Sequence, residues 1–100
     1  MVMTIDISVY PNPFEHFIIM EITCADNIDC IVLLADVSHG KIIRMLGAGL
    51  KSGTNRIPLD NLELLVAGNY SLEIKTAEGD TIYRTGLFKQ SAEAPVIHLN

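Results

Sequence analysis

Apolar and polar side chains alternate along most of this chain with a period of two, the spacing that places successive residues on opposite faces of a strand. From Thr4 to Tyr10, Ile5, Ile7 and Val9 alternate against Thr4, Asp6 and Ser8. From His16 to Cys24, Ile18, Met20, Ile22 and Cys24 share one face and Phe17, Ile19, Glu21 and Thr23 the other. Cys30 to Val37 contains the run Ile31-Val32-Leu33-Leu34, which suits a central strand covered on both sides. After Gly68 the alternation is strict, with Tyr70, Leu72 and Ile74 opposed to Ser71, Glu73 and Lys75. Thr81 to Lys89 then reads as the last core strand, with Ile82 and Phe88 on one side and Tyr83 and Leu87 on the other.

The residues between these stretches punctuate them. Pro11 and Pro13 end the first strand and force an extended or turning link, from which Phe14 can reach the core. The polar segment Ala25 to Asp29 predicts a hairpin joining the second and third strands. Ser38 to Lys41 predicts a turn with Gly40 free to take positive φ. Lys41 to Leu50 fits a helix by the spacing of Ile42, Met45, Leu46 and Gly49. Gly47 and Gly49 each cost a helix ~1 kcal/mol, however, while an edge strand accepts them as bulges, so a strand is expected. Thr54 to Leu59 is a short strand that Pro58 confines to an edge or a strand end. Asp60 and Glu63 stand in capping-box register, predicting a brief turn that drops Leu62 and Leu65 onto the core. Ala77 to Asp80 predicts a hairpin turn around Gly79. Tyr70, two residues beyond Gly68 at the entry to a core strand, has the position of a tyrosine corner, whose hydroxyl bonds back to the main chain upstream. These elements predict an all-β, immunoglobulin-like β-sandwich of about seven antiparallel strands over residues 1–90, followed by an extended tail over 91–100.

Composition narrows the chemistry. One hundred residues make one domain with a single two-layer core. The chain is 49% hydrophobic, yet no apolar run approaches the ~20 residues that span a bilayer, so membrane insertion is not expected. Net charge is -5 with seven scattered Lys and Arg, which argues against binding nucleic acid, because that affinity needs clustered positive charge. The start, MVMTIDISVY, has neither the basic nor the apolar region of an export signal. The expectation is therefore a domain of a longer secreted or surface protein, or a cytoplasmic one if Met1 is the native start.

Candidate reactive groups each meet a structural reading. His16, His39 and His98 lie at no metal-ligand spacing. Asp26, Asn27 and Asp29 share a loop that lacks a calcium-binding pattern. Asp36, Ser38 and His39 contain the residue types of a nucleophilic triad, but neighbours in one tight turn cannot converge on a substrate. Carbohydrate binding wants exposed aromatic rings, and the chain has no Trp. Cys24 and Cys30 flank the predicted hairpin loop and would face each other within bridging distance; both a disulfide and two buried thiols fit, with free thiols preferred because both sit in apolar strands. No catalytic residue, metal site or cofactor is expected, and the chain reads as non-enzymatic.

Several short words in fixed order carry a family likeness. YPNPF (Tyr10 to Phe14), DVSHGK (Asp36 to Lys41), SGTN (Ser52 to Asn55), the stretch from Leu62 to Ile74 with its Gly68-Asn69-Tyr70, and EGDTIYRTGLFK (Glu78 to Lys89) together resemble the C-terminal sorting domain of the Por, or type IX, secretion system of Bacteroidetes. That domain is immunoglobulin-like and also similar to the flagellar hook-capping protein. The resemblance implies a module at the end of a secreted cargo, recognised by the outer-membrane export machinery and delivered to the cell surface. It points to Gly68, Tyr70, Gly79, Leu87, Phe88 and Lys89 as the sorting or recognition residues.

A second expectation comes from the residues themselves. Phe17 and Ile19 point away from the assigned core, and one of Leu33 and Leu34 must do so too, so one sheet is expected to show a large apolar patch. Val96, Ile97 and Leu99 alternate like a strand and could dock on an open edge, in the same molecule or in a homodimer. On this reading the chain is an immunoglobulin-like interaction or self-association domain with no sorting role.

Overall fold

The computed structural model describes residues 5–91. Seven strands follow in order, β1 (Ile5–Tyr10), β2 (Ile18–Cys24), β3 (Ile28–Asp36), β4 (Lys41–Leu50), β5 (Gly53–Leu59), β6 (Gly68–Thr76) and β7 (Thr81–Lys89). They make two antiparallel sheets, β1-β2-β5 and β4-β3-β6-β7. The fold is the expected all-β, immunoglobulin-like sandwich. In the constant-type immunoglobulin arrangement the fourth strand belongs to the first sheet; here β4 pairs with β3 in the second.

The alternation read from the sequence decides what each strand buries. Ile18, Met20 and Ile22 of β2 face Val32 and Leu34 of β3 and Leu72 and Ile74 of β6 across the core, and all are essentially inaccessible to solvent. Phe14 fills one end of that core, fully buried, with its ring edge-on to Tyr70 at 6.1 Å between centroids. Leu62, from the β5–β6 connection, closes the same layer. The peptide bonds before Pro11 and Pro13 are both cis.

Several expectations change. Ala25 to Asp29 is not a hairpin loop: β2 pairs with β1 and β5, while β3 pairs with β4 and β6, so the chain there crosses from one sheet to the other. The apolar faces of β2 and β3 need each other across the core, which a hairpin would forbid by setting them side by side. Cys24 and Cys30 therefore belong to opposite sheets, and both are free buried thiols. Gly47 and Gly49 pair regularly with Ile31 and Asp29; the β4 bulge falls at Ile43, where Leu34 pairs with Arg44 but Ala35 with Ile42. The brief turn after β5 forms and brings Leu62 and Leu65 to the core, but without the capping box. Asn61 takes a left-handed conformation (φ 64°), the Leu65 N–H bonds the Leu62 carbonyl, and this turn replaces the capping box of Asp60 and Glu63. β3 is central but covered on its inner face only, since Ile31 is exposed on the outside. β7 is the expected core strand, burying Leu87, and it also forms an edge of its sheet.

Candidate functional site

The C-terminal half of β7 is where separate parts of the sequence meet. Because β7 is the edge of its sheet, its outward main-chain groups need partners, and the proline-bounded segment after β1 supplies them. The Asn12 side chain acts as a short stand-in for a strand: its Oδ1 accepts the Phe88 N–H at 2.9 Å, and its Nδ2 donates to the Gly86 carbonyl at 3.3 Å. Phe14 then makes a parallel bridge with Lys89, its N–H donating to the Phe88 carbonyl and its carbonyl accepting the Gln90 N–H, both at 2.9 Å. The prolines on either side of Asn12 have no N–H to satisfy, which suits a segment pairing on one side only.

β6 holds the other side of this half-strand. Gly68 pairs with Lys89, Asn69 with Phe88 and Tyr70 with Leu87. Tyr70 is 4% exposed, and its hydroxyl donates to the Val66 carbonyl at 2.6 Å, the tyrosine corner expected from its position. Burial raises the pKa of its phenol, with the Asp36 carboxylate adding to the rise. Leu87 and Lys89 point inward and are buried, whereas Phe88 points out at 44% exposure. The Lys89 ammonium, on a side chain only 1% exposed, donates to the Gln90 carbonyl at 3.0 Å. It lines a cleft of about 540 Å³ with His16, Glu63 and Ser91, rimmed by the fully projecting Leu64 and Val66.

Five of the six residues singled out by resemblance, Gly68, Tyr70, Leu87, Phe88 and Lys89, thus gather at one end of the β6–β7 ladder. Gly79 lies at the opposite end, in the β6–β7 turn, where its φ of 99° demands glycine. The interface candidates divide: Phe17 and Ile19 are on the outside of the three-stranded sheet, Ile19 in a row with Tyr10 and Pro58. Ile31 and Leu33 are on the outside of the other sheet, beside Gly47 and Met45. The apolar surface is therefore split between two faces instead of gathered on one, because the two strands belong to different sheets. Val96, Ile97 and Leu99 lie outside the described residues.

The other polar candidates have structural work. Asp36 bonds the Ser38 N–H and the His39 ring, both at 2.8 Å, so the three residues stabilise their own turn. The His39 bond is the main cause holding the Asp36 carboxyl below the usual range. Asn27 Oδ1 accepts the Ser52 N–H, and the Asp29 carbonyl accepts the Ala77 N–H, so that loop ties strand ends together. Among the described residues no three His, Cys, Asp or Glu groups come together as metal ligands.

Sequence reading missed three features. Asn55 bonds the Ile22 and Lys51 carbonyls through Nδ2 and the Lys51 N–H through Oδ1, pinning the β4–β5 link. The Asn12 clip and the burial of Lys89 were also unread. An asparagine between two prolines was the available signal for the clip; nothing local marked the other two.

No family pattern matches the chain, and no curated protein matches it in sequence. Solved structures do match in shape. One is a GH3 beta-glucosidase from Bifidobacterium adolescentis, at TM-score 0.52 and 16% identity over 99% of this chain and 19% of that one. Another is a beta-glucosidase from Kluyveromyces marxianus, at TM-score 0.50 and 15% identity over 89% of this chain and 15% of that one. The chain spans less than a fifth of either enzyme, and at these identities the likeness is one of fold: this β-sandwich resembles one portion of a much longer protein.

Proposed function

We propose that this domain is a non-catalytic sorting module that directs a secreted cargo through type IX export machinery to the cell surface. One observation supports the reading above others: the YPNPF and GLFK words, at opposite ends of the resemblance, bond directly to each other through Asn12 and Phe88. With Gly68 and the buried Tyr70 behind them they form one ordered end of the β6–β7 ladder, suited to recognition as a unit. The exposed Phe88 ring is the contact offered to the machinery. The similarity to one portion of longer enzymes is consistent with an appended module, and carries no activity over to it.

Fusion of residues 1–100 behind a reporter, in a host with this machinery, tests the proposal. Deleting Leu87 to Lys89 would stop export but also remove buried core residues, so Phe88→Ala is the sharper variant. Its ring is largely outside, so the fold should persist while secretion falls; a folded Phe88→Ala fusion exported like the parent would sink the sorting role. A second reading, an interaction domain, is favoured by exposed Ile31, Ile42 and Met45 on the outer face of the four-stranded sheet. Concentration-dependent light scattering or retention of a partner on that face would support it.

A further inference from the structure

We propose that the free edge of β4 accepts an extended, acidic segment of another protein as a fifth strand of the larger sheet. The inference rests on the interaction reading and is independent of sorting, which concerns β7.

Two sheets have four edges, and an unpaired edge is a template for another strand unless something blunts it. β7 is covered from Gly86 to Gln90 by Asn12 and Phe14. β5 carries Pro58, which has no N–H to offer. β1 is six residues long, alternates Asp6 and Ser8 with Ile5, Ile7 and Val9, and runs into Pro11. β4, of ten residues, has no proline and no acidic residue. Its bulge is confined to Ile43, so Arg44 to Leu50 pairs regularly with β3, and among the described residues no strand lies on its other side.

The side chains say what kind of strand fits. On the outer face Met45 is 65% and Ile42 51% exposed, beside exposed Ile31 of β3. Gly47 presents only main chain there, with open space where a Cβ would stand. An added strand would continue this apolar ridge with its own apolar residues. Charge selects the remainder: from Lys41 to Leu59 the chain has Lys41, Arg44, Lys51 and Arg56 and no Asp or Glu, although its net charge is -5. Arg56 pairs with Glu21, while among the described residues Lys41 and Lys51, at the two ends of β4, form no ion pair. The Asp29 carboxylate lies over Gly49, and Asp36, across from Lys41 in the register, directs its carboxylate to the Ser38 N–H and the His39 ring. A second copy pairing through its own β4 would bring these cations together; a strand alternating apolar and acidic residues would neutralise them.

Short capped peptides alternating glutamate with valine, and lysine with valine, are the probes, titrated against the full chain and followed by amide chemical shifts. The glutamate peptide should bind with shifts centred on β4, the lysine peptide should not, and Met45→Glu or Lys41→Glu should weaken binding about tenfold. Both substitutions alter exposed side chains, so the fold is retained. Equal binding of the two peptides, or shifts centred on another edge, would overturn the proposal. Light scattering on the chain alone provides the other arm. A dimer abolished by Met45→Glu would make a second copy the occupant, refuting the acidic strand but keeping the interaction reading. A monomer that binds neither peptide would remove both.

Discussion

Tyr70 shows how one side chain can tie two functions together. Its ring packs edge-on to Phe14, and its hydroxyl holds the Val66 carbonyl at 2.6 Å, joining the β5–β6 connection to the core. Tyr70→Phe keeps the ring and loses one hydrogen bond, an expected cost of about 1 kcal/mol, or roughly 4–8 °C in melting temperature. Tyr70→Ala leaves a cavity between Phe14 and Leu87 and should cost ~3 kcal/mol or more. Thermal melts of both variants check the corner, and equal losses would show that the hydroxyl, not the ring, dominates. At the same scale, bonds from Arg84 and Thr81 lower the Glu73 pKa, and the bond from His39 lowers that of Asp36. Groups with folded pKa values below their unfolded ones contribute stability above the unfolded value, and that contribution is lost as pH falls through the folded one. Stability should therefore decline on acidification through and below the ordinary carboxylate range. Asp36, followed by carboxyl NMR, should titrate nearer its ordinary value in His39→Ala; an unmoved titration would assign the shift to the Ser38 N–H.

At the scale of elements, the turn-like link after β1 works as a clasp. Asn12→Ala removes both side-chain bonds to β7, where water can replace them, so a loss of about 1 kcal/mol in urea unfolding is expected. The local signature is faster hydrogen exchange at the Phe88 amide. Asn12→Asp keeps an acceptor for that amide and loses the donor to Gly86, so protection of Phe88 should largely survive; if it vanishes in both variants, the clasp depends on the segment's path and not on the bond. Gly47 tests the edge strand from the other direction. It sits in a regular pair with Ile31, without positive φ, and nothing lies within 4 Å of an added Cβ. Gly47→Thr should therefore stabilise the domain by up to about 1 kcal/mol, measured by chemical denaturation. Strand faces were legible in the sequence because alternation is a local signal, as in Tyr70, Leu72 and Ile74. The clasp left no signal beyond an asparagine between two prolines, because a side chain imitating main-chain pairing leaves no period to detect.

Across the whole molecule, the position of the two cysteines tests the sandwich. Cys24 and Cys30 belong to opposite sheets and are buried, and burial is the leading cause of the raised Cys30 pKa, with Cys24 nearby adding to it. A buried, protonated thiol is a poor nucleophile. Both should resist alkylation by iodoacetamide in the native protein and react as it unfolds, with mass spectrometry counting the adducts against urea concentration. Rapid native modification of both would contradict the packing of β2 against β3. The sequence by itself determined the strands, the inward sides of most of them and the corner tyrosine, since period, proline and glycine act on residues a few positions apart. Only tertiary structure decided which strands share a sheet, that the loop after Cys24 crosses the core, that Lys89 is buried, and that β4 ends its sheet among the described residues. Those outcomes depend on partners distant in the chain. Asn12 meets Phe88 across 76 positions, and no local pattern records a bond that the folding of both sheets alone brings into reach.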